Sequence, residues 1–100
     1  MVQFGDPFVG NIPKKLSTPE LIQALRVDLA GELEAIVGYE VHAQSTDDQR
    51  VKQILYAIRD EEIQHTEMLK KLIEMLDPNT ANLHQKGGNR FQQTVGQPTT

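Results

Sequence analysis

Residues 51–76 read VKQILYAIRDEEIQHTEMLKKLIEML, and this stretch decides the fold. Its core positions recur in steps of four and three residues, which is the spacing of a helical seam. The seam comprises Val51, Leu55, Ile58, Glu62, His65, Leu69, Leu72 and Leu76. Six of these eight residues are aliphatic, whereas the two in the middle are a carboxylate and an imidazole. The stretch therefore predicts one long helix with an ionisable centre.

Glu62 and His65 occupy costly positions for ionisable groups. A carboxylate rarely stays buried unless it is paired, protonated or bound to a metal ion. Because the two residues are three apart, they project from the same side of the helix. A Glu-x-x-His pair directed into a helical bundle is half of a site for two metal ions. The simpler alternatives are a Glu62 paired with Arg59 and a hydrogen-bonded core histidine at position 65.

A second helical pattern precedes the first. Ser17 and Glu20 form a capping-box pattern with Pro19 in the first turn, so we expect a helix over about residues 18–43. Glu32 is the one carboxylate among the apolar residues of its seam. That seam comprises Ile22, Leu25, Leu29, Glu32, Ile36, Tyr39 and Ala43.

Two glycines, Gly31 and Gly38, lie inside this first helix but off its seam. Each costs the helix about 1 kcal/mol relative to alanine. They either permit close approach of another helix or leave a path to the centre.

The linker between the two patterns is short. Thr46 and Gln49 repeat the capping-box pattern, and we expect the second helix over about residues 47–76. A connection this short predicts an antiparallel hairpin. Glu32 lies fourteen residues before Thr46 and Glu62 lies sixteen after it, so the two carboxylates fall at nearly the same level. Glu32, Glu62 and His65 are therefore predicted to converge.

Composition excludes several classes of function. The chain has 100 residues, enough for one small domain, with 14 acidic against 10 basic residues. No basic face stands out, so we expect no nucleic-acid partner. The absence of cysteine excludes disulfides, zinc fingers and thiolate iron–sulfur sites. No secretory signal or membrane span is evident, so we expect no membrane partner and a cytoplasmic location, or a compartment inside the cytoplasm.

The turn-forming residues divide the chain into three parts. Residues 1–16 are expected to form an extended arm, with a disordered terminus as the alternative, and residues 17–85 a two-helix domain with a short C-terminal helix. Gly87 and Gly88 are expected to end that helix, leaving residues 86–100 as a flexible tail.

Further apolar residues predict self-association. Two helices share one contact line, so a lone hairpin would leave part of its apolar surface exposed. A dimer would complete a four-helix bundle and supply four glutamates and two histidines, the set used by di-metal bundle sites. The apolar residues beyond the seams include Leu21, Leu33, Val37, Ile54, Met68 and Met75.

Two motifs in order, ELEAIVGY at 32–39 and RDEEIQH at 59–65, resemble the encapsulated ferritins, two-helix members of the ferritin-like superfamily. The resemblance covers about residues 25–76. It implies an all-α antiparallel hairpin that completes a ferritin-like four-helix bundle by dimerisation. It also implies a ferroxidase that oxidises Fe(II) with oxygen for iron storage or detoxification. The di-iron centre would lie between two subunits and hold two irons per pair of chains.

The resemblance also assigns roles to individual residues. Glu32, Glu62 and His65 would bind the iron, Tyr39 would stand beside these ligands, and Glu34 would belong to an outer acidic site where iron enters. From the residues alone, Tyr39 is more simply a core aromatic and Glu34 a solvated charge.

The resemblance further implies a ring-shaped decamer of five dimers, carried as cargo inside an encapsulin nanocompartment. Thr94-Val95-Gly96 resembles the start of the cargo peptide, with its Thr-Val-Gly-Ser-Leu-like core, but Gln97-Pro98 does not continue it. Gly31 and Gly38 stand where the family often has an acidic residue and a tryptophan.

Other functions remain open from the sequence. A structural metal could staple a helical oligomer without redox activity, which predicts zinc binding and no oxygen consumption. A related di-metal oxidase or peroxide-reducing protein usually needs two Glu-x-x-His half-sites in one longer chain. A metal-free helical adaptor would leave Glu32, Glu62 and His65 buried without a reason.

Overall fold

The computed structural model describes residues 14–96 as three helices. They are α1 (Thr18–Gln44), α2 (Gln49–Leu76) and α3 (Pro78–Val95). No strand occurs within residues 14–96, so the all-α prediction is confirmed there. The predicted arm falls mostly at residues 1–13, which lie outside the described residues, as do residues 97–100. No helix in the described part is apolar over enough length to cross a bilayer.

The start of α1 matches the predicted capping box. Ser17 Oγ accepts a hydrogen bond from Glu20 N at 3.2 Å, and Glu20 Oε1 accepts one from Ser17 N at 2.8 Å. Pro19 stands in the first turn, where a missing N–H costs nothing. These contacts satisfy backbone donors that the helix itself cannot pair.

The cap of α2 differs from the predicted one. Asp48, not Thr46, is the N-cap, and its carboxylate accepts from Arg50 N and Val51 N. Thr46 Oγ1 instead accepts from Asp48 N at 3.1 Å. A carboxylate complements the positive end of the helix better than a hydroxyl, and the Arg50 guanidinium holds it at 2.8 Å. The predicted Thr46–Gln49 capping box is therefore wrong, and α2 begins at Gln49.

Helices α1 and α2 form an antiparallel hairpin. Along the series of polar contacts between the helices, the residue numbers increase on α2 and decrease on α1. Those contacts are Lys52 to the Ala43 carbonyl at 2.9 Å, Arg59 to Glu40 at 2.8 Å, His65 to Glu32 at 3.2 Å and Asp77 to Arg26 at 3.9 Å. The last pair joins α1 to the cap of α2, at the end of the hairpin far from its loop.

The apolar core is concentrated at that same end. Ile22, Leu25 and Ile73 are buried, and Leu29, Leu69 and Leu76 pack against them. These six residues form what we call the base cluster. The predicted seam of α1 is confirmed, since each of its seven residues is buried or half-buried.

The predicted seam of α2 is partly wrong. Val51, His65 and Leu72 are exposed, whereas Ile73, which lies off that seam, is only 3% exposed. Compared with the predicted orientation, α2 is thus rotated about its axis so that Ile73 and Arg59 face α1. The apolar residues of α2 cover more than one seam, so the sequence pattern alone does not fix which of them face α1. The packing of Ile73 and the Arg59–Glu40 ion pair determine which side of α2 faces α1.

One side of the hairpin displays an apolar surface next to the exposed imidazole. We call it the His65 face, and helical spacing places it opposite the side where Arg59 meets Glu40. Its exposed α2 residues are Ile54, His65, Met68, Leu72 and Met75. A second copy or another partner is expected to cover a surface of this kind.

Helix α3 is longer than predicted. It continues through Gly87 and Gly88 to Val95, so the expected helix end at these glycines is wrong. Two glycines lower helix propensity but permit the conformation, and the helix ends at Gly96, whose N–H donates to the Gln92 carbonyl. Within residues 14–96, α3 packs on α2, and its Thr80 accepts a hydrogen bond from Arg26 of α1 at 3.1 Å. Helix α3 leaves its large apolar side chains exposed. These are Leu83, Phe91 and Val95.

Candidate metal centre

Glu32, Glu62 and His65 meet halfway along the hairpin. Each offers one ligand atom, and the three atoms lie within 4.8 Å of one another. Glu32 comes from α1, whereas Glu62 and His65 stand one turn apart on α2. The predicted convergence of the three residues is therefore observed, because the antiparallel register brings the two carboxylates to one level.

The cluster is closed toward the hairpin and open toward the His65 face. His65 Nδ1 lies 3.2 Å from Glu32 Oε2 and 3.9 Å from Glu62 Oε1. The side chains are 17% exposed at Glu62, 27% at Glu32 and 48% at His65. The cluster thus has an inner carboxylate and an outer imidazole, with room for further ligands on the exposed side.

Glu32 affects the ionisation of Glu62. A hydrogen bond with Glu32 raises the pKa of Glu62, and burial and the negative charge of Glu32 raise it further. The charge of His65 acts in the opposite direction and is the smaller effect. A bound cation would favour the ionised form of Glu62 and so oppose this upward shift of its pKa.

Arg59 does not neutralise Glu62. Its guanidinium lies 2.8 Å from Glu40 and 2.9 Å from Asp60. Among residues 14–96, the only side chain that forms an ion pair with either Glu32 or Glu62 is His65. The alternative in which Arg59 pairs with Glu62 is therefore wrong for the described chain, and the carboxyl pair lacks a permanent cation.

The donor set fits a hard or borderline metal ion. Carboxylate oxygens and an imidazole nitrogen suit iron, manganese and zinc, whereas soft metals prefer the sulfur ligands that this cluster lacks. Three side chains fill only part of a coordination sphere, and the exposed side of the cluster leaves the remaining positions accessible.

The other predicted residues lie outside the cluster. Tyr39 is half-buried seven residues after Glu32, and no hydrogen bond joins its hydroxyl to the described side chains of the cluster. Glu34 is exposed. A methyl group added at Gly31 or Gly38 would meet nothing within 4 Å in the described chain, so these glycines do not serve contact with α2.

Sequence reasoning missed Glu40, the residue that engages Arg59. The predicted register that sets Glu32 opposite Glu62 places residue 40 level with residue 54, about 7.5 Å along the axis from residue 59. That offset is within the reach of a long arginine side chain, so the register permits the observed ion pair without predicting it.

A hairpin of long helices with a carboxylate and histidine cluster between them defines a class of small all-α proteins with a candidate metal centre. The sequence model of the EncFtn-like family matches residues 13–87, and the chain belongs to this family. The resemblance to encapsulated ferritins is thereby confirmed.

Two relatives agree with this assignment. The crystal structure of an encapsulated ferritin domain from Pyrococcus furiosus superposes with a TM-score of 0.82 at 29% identity, over 94% of this chain and 96% of that one. The encapsulin nanocompartment cargo protein EncC of Myxococcus xanthus is 37% identical over 76 residues, which are 76% of this chain. The match spans 58% of the length of that relative.

Proposed function

We propose that this protein is a ferroxidase that oxidises Fe(II) with oxygen at a di-iron centre formed by Glu32, Glu62 and His65 from two chains. The observation that carries the proposal is the meeting of these three side chains within 4.8 Å. Their carboxyl pair has no permanent cation within residues 14–96. Family membership supports the same chemistry. This activity would serve iron storage or iron detoxification.

A second copy would complete the centre. One chain offers two carboxylates and one imidazole, whereas a bundle site for two metal ions takes four carboxylates and two imidazoles. The His65 face supports this arrangement, because its exposed apolar residues flank the exposed imidazole. A twofold pair joined through this face would bring two clusters together and cover the apolar surface. Assembly of such dimers into a decameric ring belongs to the same proposal.

Each ligand has a distinct task at the proposed centre. Glu32 and Glu62 would neutralise the charge of the incoming cations, and Glu62 binds them in its ionised form. His65 supplies a neutral nitrogen donor from the exposed side, where the second chain would approach. The substrate iron supplies the electrons, one from each Fe(II), and oxygen accepts them. Tyr39 and Glu34 are proposed only as neighbours of the centre and of its iron supply.

Oxygen consumption tests the activity. Anaerobic protein is loaded with Fe(II), oxygen is admitted, and its uptake is followed with an electrode. We expect wild-type protein to accelerate uptake over free Fe(II) and Glu62→Ala to abolish the acceleration. Glu67→Ala is the matched control, since Glu67 is an exposed carboxylate on the same helix that pairs with Lys70. Tight zinc binding without oxygen uptake would instead favour the structural metal site.

Two isoleucines of α2 provide a test of the shared interface. Ile54 lies on the His65 face and is 60% exposed, whereas Ile63 lies on the other side and is 47% exposed. We expect Ile54→Glu to weaken dimers and metal binding together, and Ile63→Glu to retain metal binding. The added charge would itself attract cations, so a loss at Ile54→Glu cannot arise from repulsion of the metal. Equal metal binding by both variants would contradict the shared site.

The cargo role is proposed from the relatives. One curated relative is named as an encapsulin nanocompartment cargo protein. Thr94 and Val95 lie in the last turn of α3 and Gly96 caps it, so the stretch that resembles a cargo peptide begins on an exposed helix end. Co-expression with an encapsulin shell protein tests the role. We expect copurification that is lost when residues 94–100 are deleted, and failure of the full chain to copurify would contradict it.

A further inference from the structure

Arg59 stands one turn before Glu62 and is held by three neighbours. Its guanidinium donates to Glu40 at 2.8 Å and to Asp60 at 2.9 Å, and its central carbon lies 4.8 Å from the centre of the Tyr56 ring. The Arg59 side chain is only 23% exposed. The Arg59 guanidinium is therefore held by these three neighbours and does not contact the carboxyl cluster.

The direction of these contacts is away from the metal centre. Arg59 lies three residues from Glu62 toward the loop, about 4.5 Å along the helix axis. Glu40 lies eight residues from Glu32 in the same direction, about 12 Å along the axis. Because Glu32 and Glu62 share one level, the side chain of Arg59 must extend toward the loop to reach Glu40. Tyr56, a further turn toward the loop, holds it there.

A released Arg59 would have Glu62 within reach. Residues three apart on a helix are neighbours, and His65 already approaches Glu62 to 3.9 Å over that spacing with a shorter side chain. A guanidinium binds a carboxylate in a two-pronged geometry and cannot lose its charge. An ion pair of this kind would occupy the oxygens that a metal ion needs.

We propose that Glu40 is a positioning residue for the metal centre, because it draws Arg59 across to α1 and so keeps Glu62 free for a cation. This inference rests on the proposed metal-binding function of Glu32, Glu62 and His65. Glu40 touches neither the cluster nor the metal, and acts only through Arg59. The main effect of the Arg59–Glu40 pair is then to keep the metal site accessible. Its effect on the stability of the fold is small, because half-exposed ion pairs contribute little to the free energy of unfolding.

The test is a cycle of variants titrated with Zn(II) in a calorimeter. Zinc is redox-inert, so binding is measured without any oxidation. Methionine matches the length of glutamate, and at position 59 it keeps an unbranched apolar side chain but removes the guanidinium. The variants are Glu40→Met, Arg59→Met and the double variant. Asp60→Asn is the control, because it removes one carboxylate from Arg59 but leaves the contact with Glu40.

We expect Glu40→Met to weaken zinc binding about 10-fold, the lower end of the range for residues that orient metal ligands. The same change made in Arg59→Met protein should cost almost nothing, because no guanidinium remains to compete. Asp60→Asn should stay close to wild type. The melting temperatures of the metal-free variants should be similar throughout, as expected for a half-exposed pair.

The alternatives give different patterns. If Glu40 acted only by its long-range charge, Glu40→Met would cost the same affinity with and without Arg59, and Asp60→Asn would show a similar loss. That pattern overturns the inference while leaving the metal centre intact. Unchanged affinity in Glu40→Met overturns it in the same limited way. A wild-type protein that binds no zinc or Fe(II) would overturn the proposed function as well.

Discussion

The base cluster and the candidate metal centre are two parts of one helix pair with opposite chemistry. At the base, Ile22, Leu25 and Ile73 are buried against each other. Halfway along, Glu32 and Glu62 meet, and no lysine or arginine of the described residues pairs with them. The base lowers the free energy of the folded hairpin, whereas the centre raises it unless something neutralises the carboxyls. This difference supports the proposal that the centre binds a cation.

The largest effect is expected at the centre. Glu62→Ala should lower Fe(II) or Zn(II) affinity by more than about 100-fold, because even residues that only support metal ligands cost 10–100-fold. Anaerobic calorimetry measures this change directly. A variant that binds metal like the wild type would remove Glu62 from the site.

The base should respond in the opposite manner. Ile73 is 3% exposed, so Ile73→Ala should lower the free energy of unfolding by about 2–5 kcal/mol through lost burial and a residual cavity. Metal affinity per folded molecule should remain close to wild type. Chemical denaturation of metal-free protein, followed by circular dichroism, provides the measurement. A stability change below about 0.5 kcal/mol would show that the base is not the apolar core.

The centre should also make stability depend on pH. The pKa of Glu62 is raised in the folded chain by its hydrogen bond to Glu32. A raised carboxyl pKa contributes stability that is present below the pKa of the unfolded state and is lost as pH rises through the folded value. Metal-free wild type should therefore melt at a lower temperature at pH 7 than Glu62→Gln.

The melting temperatures of the two proteins should become similar near pH 4, where the Glu62 carboxyl of the wild type is protonated and uncharged like the glutamine amide. Melting curves in the presence of a chelator provide the comparison. An equal difference at both pH values would mean that Glu62→Gln acts by packing and not by charge.

The smallest effect is expected for a polar contact at the base. Arg26 lies 3.9 Å from Asp77 and donates to Thr80 at 3.1 Å, with its side chain 42% exposed. Arg26→Gln should lower the free energy of unfolding by less than about 1 kcal/mol, because exposed ion pairs are weak. Metal affinity should not change. A loss comparable to that of Ile73→Ala would mean that this junction, and not the apolar cluster, holds the base together.

Much of this contrast could be predicted from the sequence. The seam of α1 and the convergence of Glu32, Glu62 and His65 follow from helical spacing and a short linker, which are local properties. The capping box at Ser17 is local too, and it was predicted correctly. The family resemblance came from the same motifs and is confirmed.

The incorrect sequence predictions concern positions where the sequence allows more than one local structure. Thr46 and Asp48 can each cap α2, and the charge interaction of Asp48 with Arg50 decides between them. The apolar pattern of α2 fits more than one edge, so Ile73 was missed. Gly87 and Gly88 weaken a helix by an amount that its neighbours outweigh, so α3 continues past them.

The number of metal ions bound per chain is the decisive test of the proposed di-iron centre. Native mass spectrometry of anaerobic protein with added Fe(II) reports the assembly and its bound iron in one spectrum. We expect assemblies built from dimers with two irons per pair of chains, and loss of that iron in Glu62→Ala. A metal-free monomer that is indifferent to iron would contradict both the centre and the interface inferred from it.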